Sequence, residues 1–419
     1  MTVWTRTTAS RASWIGPALA WSGGLAALVL WLGSTNVERL RAQLTVLQFW
    51  SLSATVLFLL LLAIHIIGSE RAVWSRRDVR PLAGIVALGV CLTLFIAPRT
   101  HRIFYDEQIY ESIGQNLAEL RRAQVCNDGR IEYAQLQCSS GEYNKQPYGY
   151  PYLLSLAYRV FGVRDGVAFG VNAAAMAAAI GAVYFLTLLL FADRQAAAFS
   201  ALVLALMPQQ IVWSATAAAE PSASAAAAVG AASAAYYLRR GSPAALAAMG
   251  AIAAYAIQFR PESILILPVM AWIAWPRLWP ELQRPRGWWA AALFLCLAAV
   301  PIAHLFAVRH AGWGTNAARF GAPYVVPNLR VNGRFFLMDW RFPMLFTVFA
   351  IGGATARRSG FERGALVVYF LLFFAVDLAF YAGSYNYGAD VRYSLMTYPP
   401  LAVLAGVGIV RLIRAADRV

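Results

Sequence analysis

Twelve hydrophobic runs follow one another along this chain and leave little room for anything but a polytopic membrane fold. They cover about residues 15–33, 46–68, 82–98, 167–191, 196–212, 220–238, 244–259, 263–275, 288–308, 342–356, 365–382 and 395–413. Most approach the ~20 apolar residues that cross a bilayer as a helix. A helix also satisfies its own backbone N–H and C=O groups where no water is present to do so. With 60% hydrophobic and 13% charged residues and a mean hydropathy of +0.56, a soluble globular class is excluded. We therefore expect an all-α integral membrane protein, a bundle of about twelve transmembrane helices. The first run lacks a small-residue cleavage site and reads as a retained helix, not a signal peptide.

Charge sets the orientation. Arg71, Arg76, Arg77 and Arg80 share one short connection. Arg239 and Arg240, then Arg277, Arg284 and Arg286, then Arg357, Arg358 and Arg363, then Arg411, Arg414 and Arg418 occupy alternate later ones. The positive-inside rule makes that side cytoplasmic. Residues 99–166 and the 309–341 loop then lie outside, and so do thirteen of the twenty carboxylates. The net charge of +15 is thus a topology signal and gives no reason to expect a nucleic-acid partner.

The expected organisation is residues 1–98 as N-terminal spans, 99–166 as an outer loop carrying the chemistry, and 167–419 as the remaining bundle. No soluble C-terminal domain is expected. Within the outer loop, Ile109, Ile113, Leu117 and Leu120 recur near helical spacing, so Asp106–Arg122 should be a helix lying on the membrane face. Residues 147–163 are apolar but short, which points to a second interfacial or re-entrant helix. The 309–341 loop, rich in Gly, Asn, Arg and Pro, is expected to be a mobile lid. The Ala-rich 215–235 stretch suits a tightly packed inner helix. Cys126 and Cys138 flank a polar stretch and are expected to form a disulfide in an oxidising compartment. Cys91 and Cys296 sit in apolar runs and are expected to be core thiols. The four histidines show no paired ligand spacing, so no zinc site is expected.

Arginine has replaced lysine everywhere except Lys145. Lys is a compact point charge on a flexible stem, whereas Arg is a planar fork, so a surviving Lys is consistent with a phosphate approached end-on. The alternative is a solvated loop residue, or a snorkelling Lys in the aromatic belt of Tyr148, Tyr150 and Tyr152. Asp106-Glu107 follows the third run at the membrane boundary. One of the pair can act as a general base there, or both can cap a helix N-terminus. Glu220-Pro221 opens a later run. Arg260-Pro261-Glu262 forms a very short outer turn, where Arg260 has either a phosphate or Glu262 as its partner. Asp390-Val391-Arg392-Tyr393 leads into the last run. Asp377 lies inside the eleventh and reads as a hydrogen-bonded structural carboxylate.

In order and spacing these motifs resemble the GT-C glycosyltransferases, in particular the protein O-mannosyltransferase-like branch that includes the lipid A aminoarabinose transferases. Asp106-Glu107-Gln108-Ile109-Tyr110 resembles the family's Asp-Glu opening of the first long outer loop. Lys145-Gln146-Pro147-Tyr148-Gly149-Tyr150-Pro151, running to Phe161-Gly162, resembles its Lys-x-Pro loop end. Glu220-Pro221 and Arg260-Pro261-Glu262 fall at its short charged outer loops, and Arg392-Tyr393 resembles its Arg-Tyr near the last helices. The Asp-Glu pair of the family follows the first hydrophobic helix, whereas here three runs precede it. Two added spans keep the pair on the same side.

The resemblance implies an inverting transfer from a polyprenyl-phosphate sugar to a hydroxyl of a lipid, glycan or protein, on the periplasmic face of a bacterial inner membrane. It implies Asp106 as general base, with Glu107 beside it. Lys145, Arg260 and Arg392 would hold the donor phosphate. Glu220, Glu262, Tyr393 and Tyr148 would orient the acceptor or support the others. A monomer surrounded by membrane lipids is expected, with no required metal and no cofactor beyond the lipid-linked donor. The competing reading is a flippase or other transporter, which should show internal repeats and charges deep within its spans.

Overall fold

The computed structural model describes residues 12–69, 76–133, 135–312, 318–356, 359–386 and 390–418. Arg71, Arg357 and Arg358, used above for orientation, lie outside the described residues. The chain opens with α1 (Ala12–Ser34), α2 (Val37–Ser69) and α3 (Arg76–Cys91), the last continuing through a π-helical turn at Leu92–Ile96. Next come α4 (Phe104–Glu119), a hairpin of β1 (Val125–Glu132) and β2 (Gln135–Glu142), and α5 (Gly149–Phe161). The bundle continues with α6 (Asp165–Phe191), α7 (Arg194–Ala205), α8 (Pro208–Ser214), α9 (Glu220–Arg240) and α10 (Pro243–Ala256). It ends with α11 (Ile266–Leu282), α12 (Pro285–Ala307), α13 (Ala322–Met338), α14 (Met344–Ala354), α15 (Gly360–Ala379) and α16 (Tyr398–Ala416).

All twelve hydrophobic runs fall on helices, but the count of spans differs from the expectation. Among the described residues, six helices are long and apolar enough to cross a membrane, and a seventh is obtained if α7 and α8, bent by 60°, form one broken span. Three more are apolar but shorter: Arg80–Ile96, Pro243–Ala256 and Met344–Ala354. The Ala- and Ser-rich composition of α9 explains part of the difference. Its residues are small rather than greasy, and most are buried against α6, α10 and α11.

Two expectations are corrected. The 309–341 stretch holds the helix α13, whose Asn328 side chain donates to the carbonyls of Asp377, Leu378 and Phe380 at the C-terminal end of α15. Asn332 does the same for Gly383. The helix α13 is packed and hydrogen-bonded along one face, so this part of the stretch is not a loose lid. Cys91 and Cys296 are exposed, not in the core. An apolar side chain is at ease in either hydrocarbon or protein, so hydropathy cannot separate the lipid-facing side of a span from its core-facing side.

The outer loop has a small core of its own. Ile113 and Leu117 on α4 are fully buried with Tyr148 and Tyr152 of the α5 region and with Phe49 and Leu52 of α2. Helices α4 and α5 cross closely at Gly114, where an added Cβ would meet Leu154 Cβ at 2.9 Å. At Gly149 the backbone N–H donates to the carbonyl of Gln258 at 2.7 Å, and an added Cβ would strike that same carbonyl. Gly149 thereby sets the start of α5 against the turn that carries Arg260. Cys126 and Cys138 are joined in a disulfide across the hairpin, a strand pair the sequence pattern does not announce.

Candidate active site

Four turns converge at one end of the bundle. Asp106 stands in the first turn of α4, and Glu220 opens α9. Arg260 precedes a 3-10 turn at Pro261–Leu265, and Arg392 lies in another at Asp390–Thr397. Arg392 Nη2 donates to Asp106 Oδ2 at 3.0 Å, and its Nε lies 2.8 Å from Glu220 Oε1. Arg260 bridges Glu220 and Glu262. Both guanidiniums lie over the ring of Tyr393, with Cζ 5.2 Å from its centroid for Arg260 and 5.0 Å for Arg392. The Tyr393 hydroxyl also accepts from Arg392 at 3.1 Å. Two cations stacked on one ring hold each other's geometry despite their mutual repulsion.

Burial grades this cluster. The Glu220 and Arg392 side chains are 2% and 7% exposed, while Asp106 is 26% exposed and open to an incoming molecule. Arg392 Nη1 is buried and has no hydrogen-bond partner among the described residues; Nε, though close to Glu220, is not aligned with it for a hydrogen bond. A buried guanidinium with donors to spare is a costly arrangement unless an anion supplies the missing acceptors.

The expected site residues do not all meet here. Asp106, Glu220, Arg260, Glu262, Arg392 and Tyr393 do. Glu107 does not. It is fully buried and accepts from His101 Nδ1 at 2.9 Å and from the backbone N–H groups of Arg102, Ile103 and Ala217 at 3.0–3.1 Å. Tyr148 is also buried, and its hydroxyl closes a turn with the backbone of Asn144. The Lys145 Nζ instead donates to the carbonyl of Gly312.

One positioning residue escapes sequence reasoning. Asn172, two turns into α6, is buried. Its side-chain amide donates to the carbonyls of Thr216 and Ala218 at 2.7 Å each, and its oxygen accepts from Ser222 at 2.7 Å. With Glu107 holding Ala217, the loop before Glu220 is clamped from two sides. An Asn in an apolar helix is the only signal the sequence offers, and a polar side chain in a span is costly enough to be worth noting.

The face of α4 that carries Glu107 also carries Glu111, one turn on. Both turn toward His101, while Asp106 and Tyr110 turn toward the arginines. His101 Nε2 lies 3.7 Å from Glu111 and 3.4 Å from Asp165 at the start of α6. Burial pushes Glu111 up to about 7, His101 opposes this, and the Asp165 and Glu107 charges add to the rise. Burial works against the His101 imidazolium, but Glu111 and Glu107 outweigh it and raise its pKa. Among the described residues, His101, Glu111 and Asp165 are the group of ligand-type side chains that converges closely enough to hold a metal ion. An open depression of about 690 Å³, lined by Asp193, Arg194, Gln195 and Arg414, lies at the far end of α6 and contains none of these residues.

Residues 145–304 match the sequence profile of the family described as dolichyl-phosphate-mannose-protein mannosyltransferase. No curated protein matches the chain in sequence. The fold is similar to that of ArnT from Cupriavidus metallidurans bound to undecaprenyl phosphate, with TM-score 0.55 and 17% identity over 79% of this chain and 60% of that one. The apo state of the same protein gives TM-score 0.54 and 20% identity over 80% and 61%. It is also similar to the archaeal oligosaccharyltransferase AglB from Archaeoglobus fulgidus, in complex with an inhibitory peptide and a dolichol-phosphate, with TM-score 0.53 and 14% identity over 82% and 52%. The chain spans about half to three-fifths of the length of these structures, and at such identities the likeness is one of fold. The chain is a membrane protein with the fold of these structures, and its residues 145–304 match the profile of the dolichyl-phosphate-mannose-protein mannosyltransferase family.

Proposed function

We propose that the protein is an inverting glycosyltransferase that moves a sugar from a polyprenyl-phosphate donor to a hydroxyl acceptor on the extracytoplasmic face of a bacterial inner membrane. The observation that carries this reading is Arg392. It is buried, paired with Asp106 and Glu220, and has an Nη1 donor with no acceptor among the described residues. A phosphate oxygen supplies that acceptor. Asp106 is the most open carboxylate of the Asp106–Glu220 pair, and its position beside the guanidinium places a base next to the leaving group's counter-charge.

In the reaction, Asp106 takes the proton of the acceptor hydroxyl. The oxygen attacks the anomeric carbon from the face opposite the phosphate, and the bond from that carbon to the phosphate oxygen breaks. The departing phosphate gains a negative charge, which Arg392 and Arg260 meet with preorganised donors. Lys145, outside this cluster, is assigned a supporting charge for the phosphate on the family resemblance alone. Glu220 and Glu262 hold the two guanidiniums, and Tyr393 supports both from beneath. The family signature and the undecaprenyl phosphate and dolichol-phosphate named with the similar structures support the lipid-phosphate class of donor.

The test is transfer from a panel of radiolabelled polyprenyl-phosphate sugars in membranes containing the wild type, Asp106→Asn or Lys145→Arg. Transfer by the wild type that Asp106→Asn abolishes and Lys145→Arg reduces supports the reading. Equal transfer by wild type and Asp106→Asn overturns it. A wild type that moves lipid-linked sugar across the bilayer without transferring it favours the transporter.

A further inference from the structure

We propose that His101, Glu111 and Asp165 form a binding site for a divalent transition-metal ion of the zinc or manganese class, tying α4 to α6 beside the reaction site. The three ligands come from three separate elements: the segment after the π turn, the middle of α4 and the first residue of α6. Their donor atoms all lie within 4.8 Å of one another, with His101 Nε2 at 3.4 Å from Asp165 and 3.7 Å from Glu111. A tetrahedral ion bound at about 2.0–2.1 Å spaces its ligand atoms roughly 3.3–3.4 Å apart, so a small closure completes the cage.

The second observation is the support of His101 from outside the three ligands. Glu107, fully buried, accepts at 2.9 Å from His101 Nδ1. A carboxylate on one ring nitrogen fixes the proton there and turns the other nitrogen into a ligand, the carboxylate–histidine–metal relay of many metal sites. Here the other nitrogen faces two further carboxylates. Phe169 packs its ring 5.4 Å from that of His101 and limits rotation away from this aim. Glu107 is itself immobilised by three backbone N–H groups, so the relay rests on a fixed support. One imidazole among three carboxylates leaves a charge deficit that a dication neutralises. The mixed nitrogen and oxygen set selects zinc- or manganese-like ions over magnesium or calcium, which prefer oxygen alone. Asp165, 68% exposed, gives the ion its entry path and leaves room for water as a further ligand.

The site contains none of Asp106, Arg260 or Arg392, and it stands or falls apart from the transfer reaction. Its consequence for that reaction is positional: the ion would lock the register of α4, and with it the Asp106 face, onto α6.

The full-length protein, purified in detergent and stripped with EDTA, is titrated with cobalt(II) and followed by visible absorption, then challenged with zinc(II). Wild type should take up one equivalent of cobalt that zinc displaces. His101→Ala should take up none, Asp165→Asn should bind about tenfold or more weakly, and Glu107→Gln should bind about 10–100-fold more weakly. Glu132→Gln, in the exposed hairpin, should bind as wild type. Asp165→Asn changes a surface residue and keeps the test open if His101→Ala does not fold. A wild type that binds no cobalt, or an Asp165→Asn variant that binds it as tightly as wild type, overturns the proposal.

Discussion

Asp106 and Glu107 are consecutive in sequence and serve opposite sides of α4. Asp106 Oδ2 accepts from Arg392 at 3.0 Å on the reaction side, while Glu107 Oε2 accepts from His101 at 2.9 Å and from Ala217 N at 3.1 Å on the packing side. Helical geometry separates neighbouring side chains by about 100°, so a pair of adjacent acids at a boundary cannot both face one cavity. The same motif therefore holds one chemical and one structural carboxylate.

The two acids should fail differently. Asp106→Asn is expected to keep the thermal midpoint of the wild type and lower transfer by about 10²–10⁴-fold, the range for loss of a general base. Glu107→Gln replaces an acceptor of four donors by a group that accepts at one atom only. It is expected to lower stability by about 1–3 kcal/mol, with any loss of transfer following from the unfolded fraction. Paired melting curves and single-turnover rates decide this. An Asp106→Asn protein that melts early while Glu107→Gln does not would reverse the assignment.

Arg392→Lys is the sharpest test of the phosphate contact. A lysine keeps the charge but has neither the planar fork nor the reach to Asp106, Glu220 and a phosphate at once. Transfer should fall by about 10²–10³-fold, as for removal of one preorganised donor from a developing anion. Binding of undecaprenyl phosphate alone, measured by displacement of a labelled analogue, should weaken in parallel. Retained activity in Arg392→Lys would mean that charge alone suffices and that the spare Nη1 donor has no part in the reaction.

The helical architecture was readable because each span must carry its own hydrophobic signal, and all twelve runs fall on helices. The number of spans was not, since a run such as that of α9, counted from its alanines, is too weakly apolar to pass as a span by length and composition. In the site, Arg392 and Glu220 could be named because Arg392-Tyr393 and Glu220-Pro221 resemble motifs of the family. Their pairing across 172 residues could not be derived from spacing. Glu107 and Tyr148 share motifs with Asp106 and Lys145, yet motif membership says nothing of which way a side chain turns. The His101–Glu111–Asp165 cluster was invisible for a related reason: its ligands lie on three elements and show no local spacing.

Asn172→Ala should disturb the reaction from a distance. The side chain spans α6, the 216–218 loop and Ser222, so its removal leaves the carbonyls of Thr216 and Ala218 without that donor. The expected cost is about 1–3 kcal/mol of stability. The expected kinetic signature is a fall in kcat with donor KM little changed, because Glu220 would lose its aim at Arg392 more than the lipid would lose its groove. Asn172→Asp, which cannot donate, should resemble Asn172→Ala, whereas Asn172→Gln should recover part of the loss. Equal kinetics in all three would remove Asn172 from the positioning network.

The turn between α13 and α14 should carry a small acid-sensitive contribution. Asp339 accepts from Arg341 through Nε at 2.9 Å, Nη2 at 2.6 Å and the backbone N–H at 2.9 Å. These hydrogen bonds, foremost the side-chain ones, hold the Asp339 carboxyl below its ordinary value of 3.8. With a depressed folded pKa, the native state binds fewer protons than the unfolded state across that interval. Stability from this group is therefore present above the ordinary value and lost as pH falls through it. Comparing wild type with Asp339→Asn cancels the other carboxylates. The wild type's advantage in thermal midpoint should be constant from neutral pH down to about pH 5, then shrink toward about pH 3. A difference that stays constant over the whole range would show that Arg341 stabilises the turn by packing against Phe335, whose ring centroid lies 5.8 Å from its guanidinium, and not by holding the carboxylate.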